Sequence, residues 1–156
     1  MGMDLGDLLR PEGTFAALRL KNKKQTLQDL SHRAANLTGI DERQIYDALL
    51  QRERLGSTAV GRGIAIPHAR LRGLSRISAV FAQLDEPIDF DAIDGDPVDL
   101  VFVLLAPEQA GADHLKALAR ISRVLRDPST LEKLRAARDR AALYAVLTEP
   151  LATHAA

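Results

Sequence analysis

Residues 98–106, "VDLVFVLLA", are apolar at every position except Asp99. A run this short, rich in β-branched residues and lacking polar alternation, fits a strand covered on both faces. It therefore demands helices on either side, and the rest of the chain offers them. "KNKKQTLQDLSHRAANLTG" puts Leu27, Leu30 and Ala34 on one helical stripe, with Gly39 beyond its end. Asp41 is placed as the N-cap of "ERQIYDALLQRER", where Ile45, Leu49 and Arg52 follow one face until Leu55-Gly56 ends it. A third helix is expected over Asp113 to Arg126, stopped by Asp127-Pro128, and "STLEKLRAA" and "DRAALYAVLT" add two short ones. Strands are expected at Thr14 to Leu20, at "IAI" ending in Pro67, and at Ile77 to Leu84, while "DEPIDFDAIDGDP" reads as acidic turns. Helices and strands interleave, so the class is α/β with a central sheet between helices. Strand order is open at this level.

The chain's 156 residues suit one domain with one sizeable core. Aromatics make up only 4%, so that core has to be aliphatic. Basic and acidic residues number 21 each, which leaves no electrostatic footprint for nucleic acid or an anionic membrane. Without cysteine there are no disulfides, thiolate nucleophiles or sulfur-bound metals. No stretch has the roughly 20 apolar residues of a spanning helix, and "MGMDLGDLLRPEGTF" lacks the pattern of a signal peptide. A cytoplasmic location is the expectation.

Four histidines are the candidates for chemistry. His154 near the end and His32 beside Arg33 within a helix read as solvated. His114 opens the third helix in line with Leu118, Ile121 and Leu125, so it belongs at the end of the buried stripe. His68 follows Pro67, which stiffens the chain around it, and stands downstream of "GSTAVGRG". Gly56, Gly61 and Gly63 in that loop allow backbone N–H groups to approach an anion, and Ser57 and Thr58 add hydroxyl donors. The loop is neither a Walker sequence nor a dinucleotide fingerprint. The residues alone leave both a structural and a chemical role open for His68 and His114. A metal-dependent hydrolase using His68, His114 and Asp113 is a further possibility, but the paired-histidine spacings of zinc motifs are absent.

"GRGIAIPHA" resembles the active-site signature of the type-2 enzyme IIA domains of the bacterial phosphoenolpyruvate-dependent phosphotransferase system. "RERLGSTAVGRGIAIPH" followed by "LDEPIDFDAIDGDPVDLVFVLLAP" is most similar to the nitrogen-regulatory branch. Ala69 departs from the glycine that commonly follows the histidine. The resemblance implies one α/β domain over residues 4–148 with a mixed central sheet, followed by a tail at 149–156. It implies that His68 accepts a phosphoryl group on Nε2 from an HPr-type phosphocarrier protein. His114 would hydrogen-bond that group, and Arg52 would lie beside it. Ser57, Thr58 and the backbone at Gly63 are expected to help hold the phosphate. No cofactor or metal is implied, and no nucleic acid or membrane insertion. As a regulator the protein would act on targets such as potassium-transport proteins or sensor kinases. In the sugar-branch alternative it would pass phosphate to a separate IIB protein. The turn Asp94 to Pro97, with Leu71 and Arg72, is expected to flank the site.

Overall fold

The computed structural model describes residues 5–149. His154 and most of the expected tail lie outside them. Six strands form one mixed sheet: β1 (Thr14–Leu18), β2 (Ala59–Gly61), β3 (Ile64–Ala65), β4 (His68–Leu71), β5 (Ser78–Ile88) and β6 (Val98–Pro107). Five helices cover it: α1 (Lys23–Thr38), α2 (Glu42–Arg54), α3 (Ala112–Arg126), α4 (Pro128–Ala136) and α5 (Arg140–Thr148). The strand order is β1-β5-β6-β3-β2, with β4 also paired to β6. The β5–β6 pair is antiparallel, whereas β1–β5, β3–β6 and β4–β6 are parallel.

The apolar run at β6 is central, as its composition requires. Leu100, Phe102 and Leu104 enter one core with Ala117, Ile121 and Leu125 of α3 and with residues of α4 and α5. Val101, Val103 and Leu105 enter a second core with Leu27 and Leu30 of α1 and Ile45 and Leu49 of α2. All six β6 side chains are fully buried. Burial of each such Val, Leu or Phe contributes about 1.5–3 kcal/mol.

Caps fix the helix ends. Gly39 takes φ 77 at the end of α1, and Asp41 accepts from the Gln44 amide at the start of α2. Asp127 both follows α3 and caps α4, accepting from the amide of Thr130. The buried amide of Gln83 satisfies three backbone groups at once. It donates to Leu134 and Ala137 carbonyls at 3.0 and 2.8 Å and accepts from Ala17 N–H at 3.0 Å. This ties the end of α4 to the irregular stretch of β1.

Several boundaries differ from expectation. β1 stops at Leu18, and β5 runs on through "DEPI" to Ile88. Pro67 interrupts rather than ends its strand. Its carbonyl still accepts from Leu104 N–H at 2.9 Å, and β4 resumes along the same edge of β6, with His68 opposite Leu104. The loop "GSTAVGRG" contains β2, which hairpins onto β3.

Candidate active site

The C-terminal turn of α2 and the loop after it are anchored through Glu53, which is buried at 7% exposure. Its carboxylate accepts from the Thr58 amide at 3.1 Å and from the Thr58 hydroxyl, and pairs with Lys23 Nζ at 3.0 Å. The same ammonium sits 4.9 Å from the centre of the Phe90 ring. Ser57 donates its hydroxyl to the Phe90 carbonyl at 2.6 Å. Both hydroxyls, expected to face an anion, here serve the loop's own fold. Arg52, one residue before Glu53, points elsewhere and donates from Nη1 to the Gly56 carbonyl at 2.9 Å.

His68 opens β4, a sheet-edge strand. Ala69 and Leu71 turn inward to the core shared with α1 and α2, while His68 and Arg70 alternate to the opposite side. The His68 ring is half-buried, and its Nδ1 lies 2.8 Å from the Ile66 carbonyl oxygen. A carbonyl only accepts, so in the neutral ring Nδ1 holds the proton and Nε2 keeps the lone pair. Burial lowers the His68 pKa below the ordinary 6.5. The Ile66 bond opposes that shift, Arg52 adds to it and Glu53 counters it.

His114 reaches the same place from the first turn of α3, and its ring centre is 5.6 Å from that of His68, edge to face. It is buried at 6% exposure. Arg70 Nε donates to its Nδ1 at 3.1 Å, while its Nε2 is buried with no hydrogen-bond partner. Leaving such a group unsatisfied costs about 1–3 kcal/mol. Its pKa is also lowered, mainly by burial and then by His68 and Arg70.

Arg52, His68, Arg70 and His114 line one open cavity, together with Ala48, Gln51, Leu55, Ala69, Leu115 and Leu118. Leu55 and Leu115 are 84% and 66% exposed, an apolar rim around the polar group. Gly63 is not among the lining residues. Its carbonyl bonds to the amides of Asp99 and Leu100, whereas His68 is opposite Leu104. Four to five strand residues separate them, roughly 15 Å. The Asp94 to Pro97 turn goes with Gly61 and Gly63, Leu71 is in the core, and Arg72 pairs with Glu108. His32 is exposed and bonded to Glu42. Among the described residues no group of three or more His, Asp or Glu is placed to hold a metal ion. Arg70 was not anticipated by the sequence reading. Its signal is the alternation in "HARL", masked by the proline that interrupts the strand just before it.

Residues 7–149 match the family described as "Phosphoenolpyruvate-dependent sugar phosphotransferase system, EIIA 2". The chain belongs to this enzyme IIA family. It is 59% identical over 153 residues to a nitrogen regulatory protein of Bradyrhizobium diazoefficiens, covering 98% of this chain and 100% of that one. A nitrogen regulatory protein of Pseudomonas aeruginosa is 43% identical over 147 residues, covering 93% and 95%. The crystal structure of the nitrogen regulatory protein IIA-Ntr from Neisseria meningitidis superposes with a TM-score of 0.88 at 31% identity, covering 92% of this chain and 99% of that one. The enzyme IIA fold is thus the expected single-domain mixed sheet between helices, and the chain is a phosphotransferase-system component. No helix among the described residues is long and apolar enough to cross a membrane.

Proposed function

We propose that the protein is a phosphohistidine carrier whose His68 Nε2 accepts a phosphoryl group from the phosphohistidine of an HPr-type protein. One observation carries this reading. The bare Nε2 belongs to a ring lining an open cavity, beside a buried His114 Nε2 that has no partner. In the transfer, the donor's N–P bond breaks and its electron pair returns to the donor nitrogen, while the His68 Nε2 lone pair forms the new N–P bond. The proton stays on His68 Nδ1, donated to the Ile66 carbonyl throughout, so the ring needs no base. The lowered pKa keeps that ring neutral, and hence nucleophilic, near pH 7. A loose transition state spreads charge over three phosphoryl oxygens. Arg52 and the Nε2–H of His114 supply the fixed positive charge and donor it needs. Exchange between two histidines is close to balanced, which suits a relay.

Identity along full-length relatives named nitrogen regulatory proteins favours a regulatory output. Phosphorylation adds about two negative charges at the cavity, inside the Leu55 and Leu115 rim, and so changes which surfaces can dock there. Regulatory targets such as potassium-transport proteins or sensor kinases would read that change in the cytoplasm.

The test is incubation with phosphoenolpyruvate and the general carrier proteins, followed by intact mass measurement. The expected result is a gain of one phosphate, labile in acid and stable in alkali, that His68→Ala abolishes. Label retained in His68→Ala defeats the assignment. Rapid loss of label to a fructose- or mannitol-type IIB protein would identify the sugar branch instead.

A further inference from the structure

An arginine side chain has five N–H donors, no acceptor and no accessible deprotonated form. Because Arg70 Nε points at His114 Nδ1 from 3.1 Å, that nitrogen has to be the bare one. The neutral ring then carries its proton on Nε2, the buried atom that lacks a partner. We propose that Arg70 is a positioning residue, which by donating to His114 Nδ1 fixes the His114 proton on Nε2 and makes this ring a hydrogen-bond donor to an incoming phosphoryl oxygen. The proposal rests on the reading of His68 as phosphoryl acceptor.

Three further observations support it. His68 and Arg70 are two residues apart on one strand, opposite Leu104 and Ala106 of β6, so the same stiff element carries the acceptor and sets the neighbouring ring's proton. Arg70 is exposed and reaches the ring from the solvent side, so nothing in the packing of the core requires an arginine there. Its charge also disfavours protonation of His114, which holds that ring in the neutral form whose tautomer matters. Without the arginine, His114 could place its proton on Nδ1 and present a lone pair on Nε2 to phosphoryl oxygens, which repel it. Arg52 has a different task, since its bond to the Gly56 carbonyl holds it at the rim, from where its charge acts on His68.

The experiment uses the unphosphorylated full chain with 15N-labelled histidine. Long-range imidazole correlations report which His114 nitrogen carries hydrogen in wild type, Arg70→Met and Arg70→Lys. Wild type should show a bare Nδ1 and protonated Nε2, Arg70→Met a mixture of tautomers, and Arg70→Lys, which still donates, the wild-type form. In parallel, phosphorylation of each by the carrier proteins is followed with time. Arg70→Met should accept phosphate roughly tenfold more slowly, less than the 10²–10³ loss from deleting a donor outright, and Arg70→Lys should recover most of that rate. An Nδ1–H tautomer in wild type overturns the proposal, as does a shifted tautomer with an unchanged rate. Failure of the wild type to take up phosphate would instead defeat the carrier reading, while the tautomer spectra still decide whether Arg70 governs His114. Equal melting temperatures for the three proteins exclude a folding defect as the cause.

Discussion

Glu53 and Thr58 bond to each other twice, through the Thr58 amide and through its hydroxyl, and both residues are buried. This pair of hydrogen bonds closes the turn between α2 and β2, holding Arg52 at one end of the loop and leading into the hairpin that delivers His68 at the other. The carboxylate also takes the charge of Lys23, which comes from the first turn of α1. The loop is thus held by its own turn residues together with Lys23 and Phe90, brought in from elsewhere in the chain.

Glu53→Ala would leave two buried Thr58 donors without their acceptor and Lys23 with Asp91, 3.4 Å away, as its remaining carboxylate. A loss of about 3–4 kcal/mol is expected, measured by urea unfolding, and phosphate acceptance should slow because Arg52 loses its mooring. The conservative Glu53→Gln keeps one acceptor oxygen for Thr58 and gives up the other along with the charge, and should lose less.

Gly63→Ala tests the far end of the sheet. Gly63 has φ +80, and a Cβ there would lie 2.6 Å from Arg135 Nη2 and 3.0 Å from Asp99 Oδ1. That guanidinium is paired with Asp99 at 2.9 Å and donates to the Arg62 carbonyl. Strain and displacement together should cost about 2 kcal/mol or more. If the loop at Gly63 is remote from the phosphate, as its register implies, the rate of phosphorylation of the folded fraction should stay near wild type.

His114→Ala should still accept phosphate, at a rate lowered roughly hundredfold, the usual effect of removing one donor to developing charge. A stopped-flow or quench time course separates this from the complete loss expected for His68→Ala.

Stability should fall as the pH is lowered through the histidine range. Both His68 and His114 have folded-state pKa values below the unfolded 6.5. Between the two values the unfolded chain binds more protons, so their contribution is intact above about pH 6.5 and is lost as pH drops through the folded pKa values. Urea midpoints from pH 8 to 5 should decline on the acid side, and His114→Gln should flatten the decline. Phosphate acceptance should follow the same direction, because a protonated His68 has no lone pair to offer.

The sequence revealed the long elements because their patterns are redundant. β6 declares itself by nine residues and α3 by a repeated stripe, and the caps at Gly39, Asp41 and Asp127 fall where residue chemistry puts them. The short strands β2 and β4 have three and four residues, too few to show a period. Ser57 and Thr58 illustrate a different limit. Hydroxyls in a glycine-rich loop look available until the fold brings Phe90 from 33 residues away and Glu53 from the preceding helix. For Gly63, closeness along the chain to His68 becomes distance along an extended strand. His68, His114 and Arg52 converge on one cavity, whereas Arg70 needed the geometry of β4 before its partner could be seen.

The brevity of β2 has a chemical result. Its last ladder partner toward His68 is Ala59, opposite Ala65, and the Ile66 amide makes one more bond, to the Thr58 carbonyl. Past that point the hairpin runs out, and the oxygen of Ile66 has no neighbouring strand to bind it. The imidazole two residues later takes up this orphan acceptor. Extending the hairpin by a single pair would complete the backbone ladder and set the imidazole proton free to migrate, so an unfinished edge is what keeps Nε2 of His68 bare.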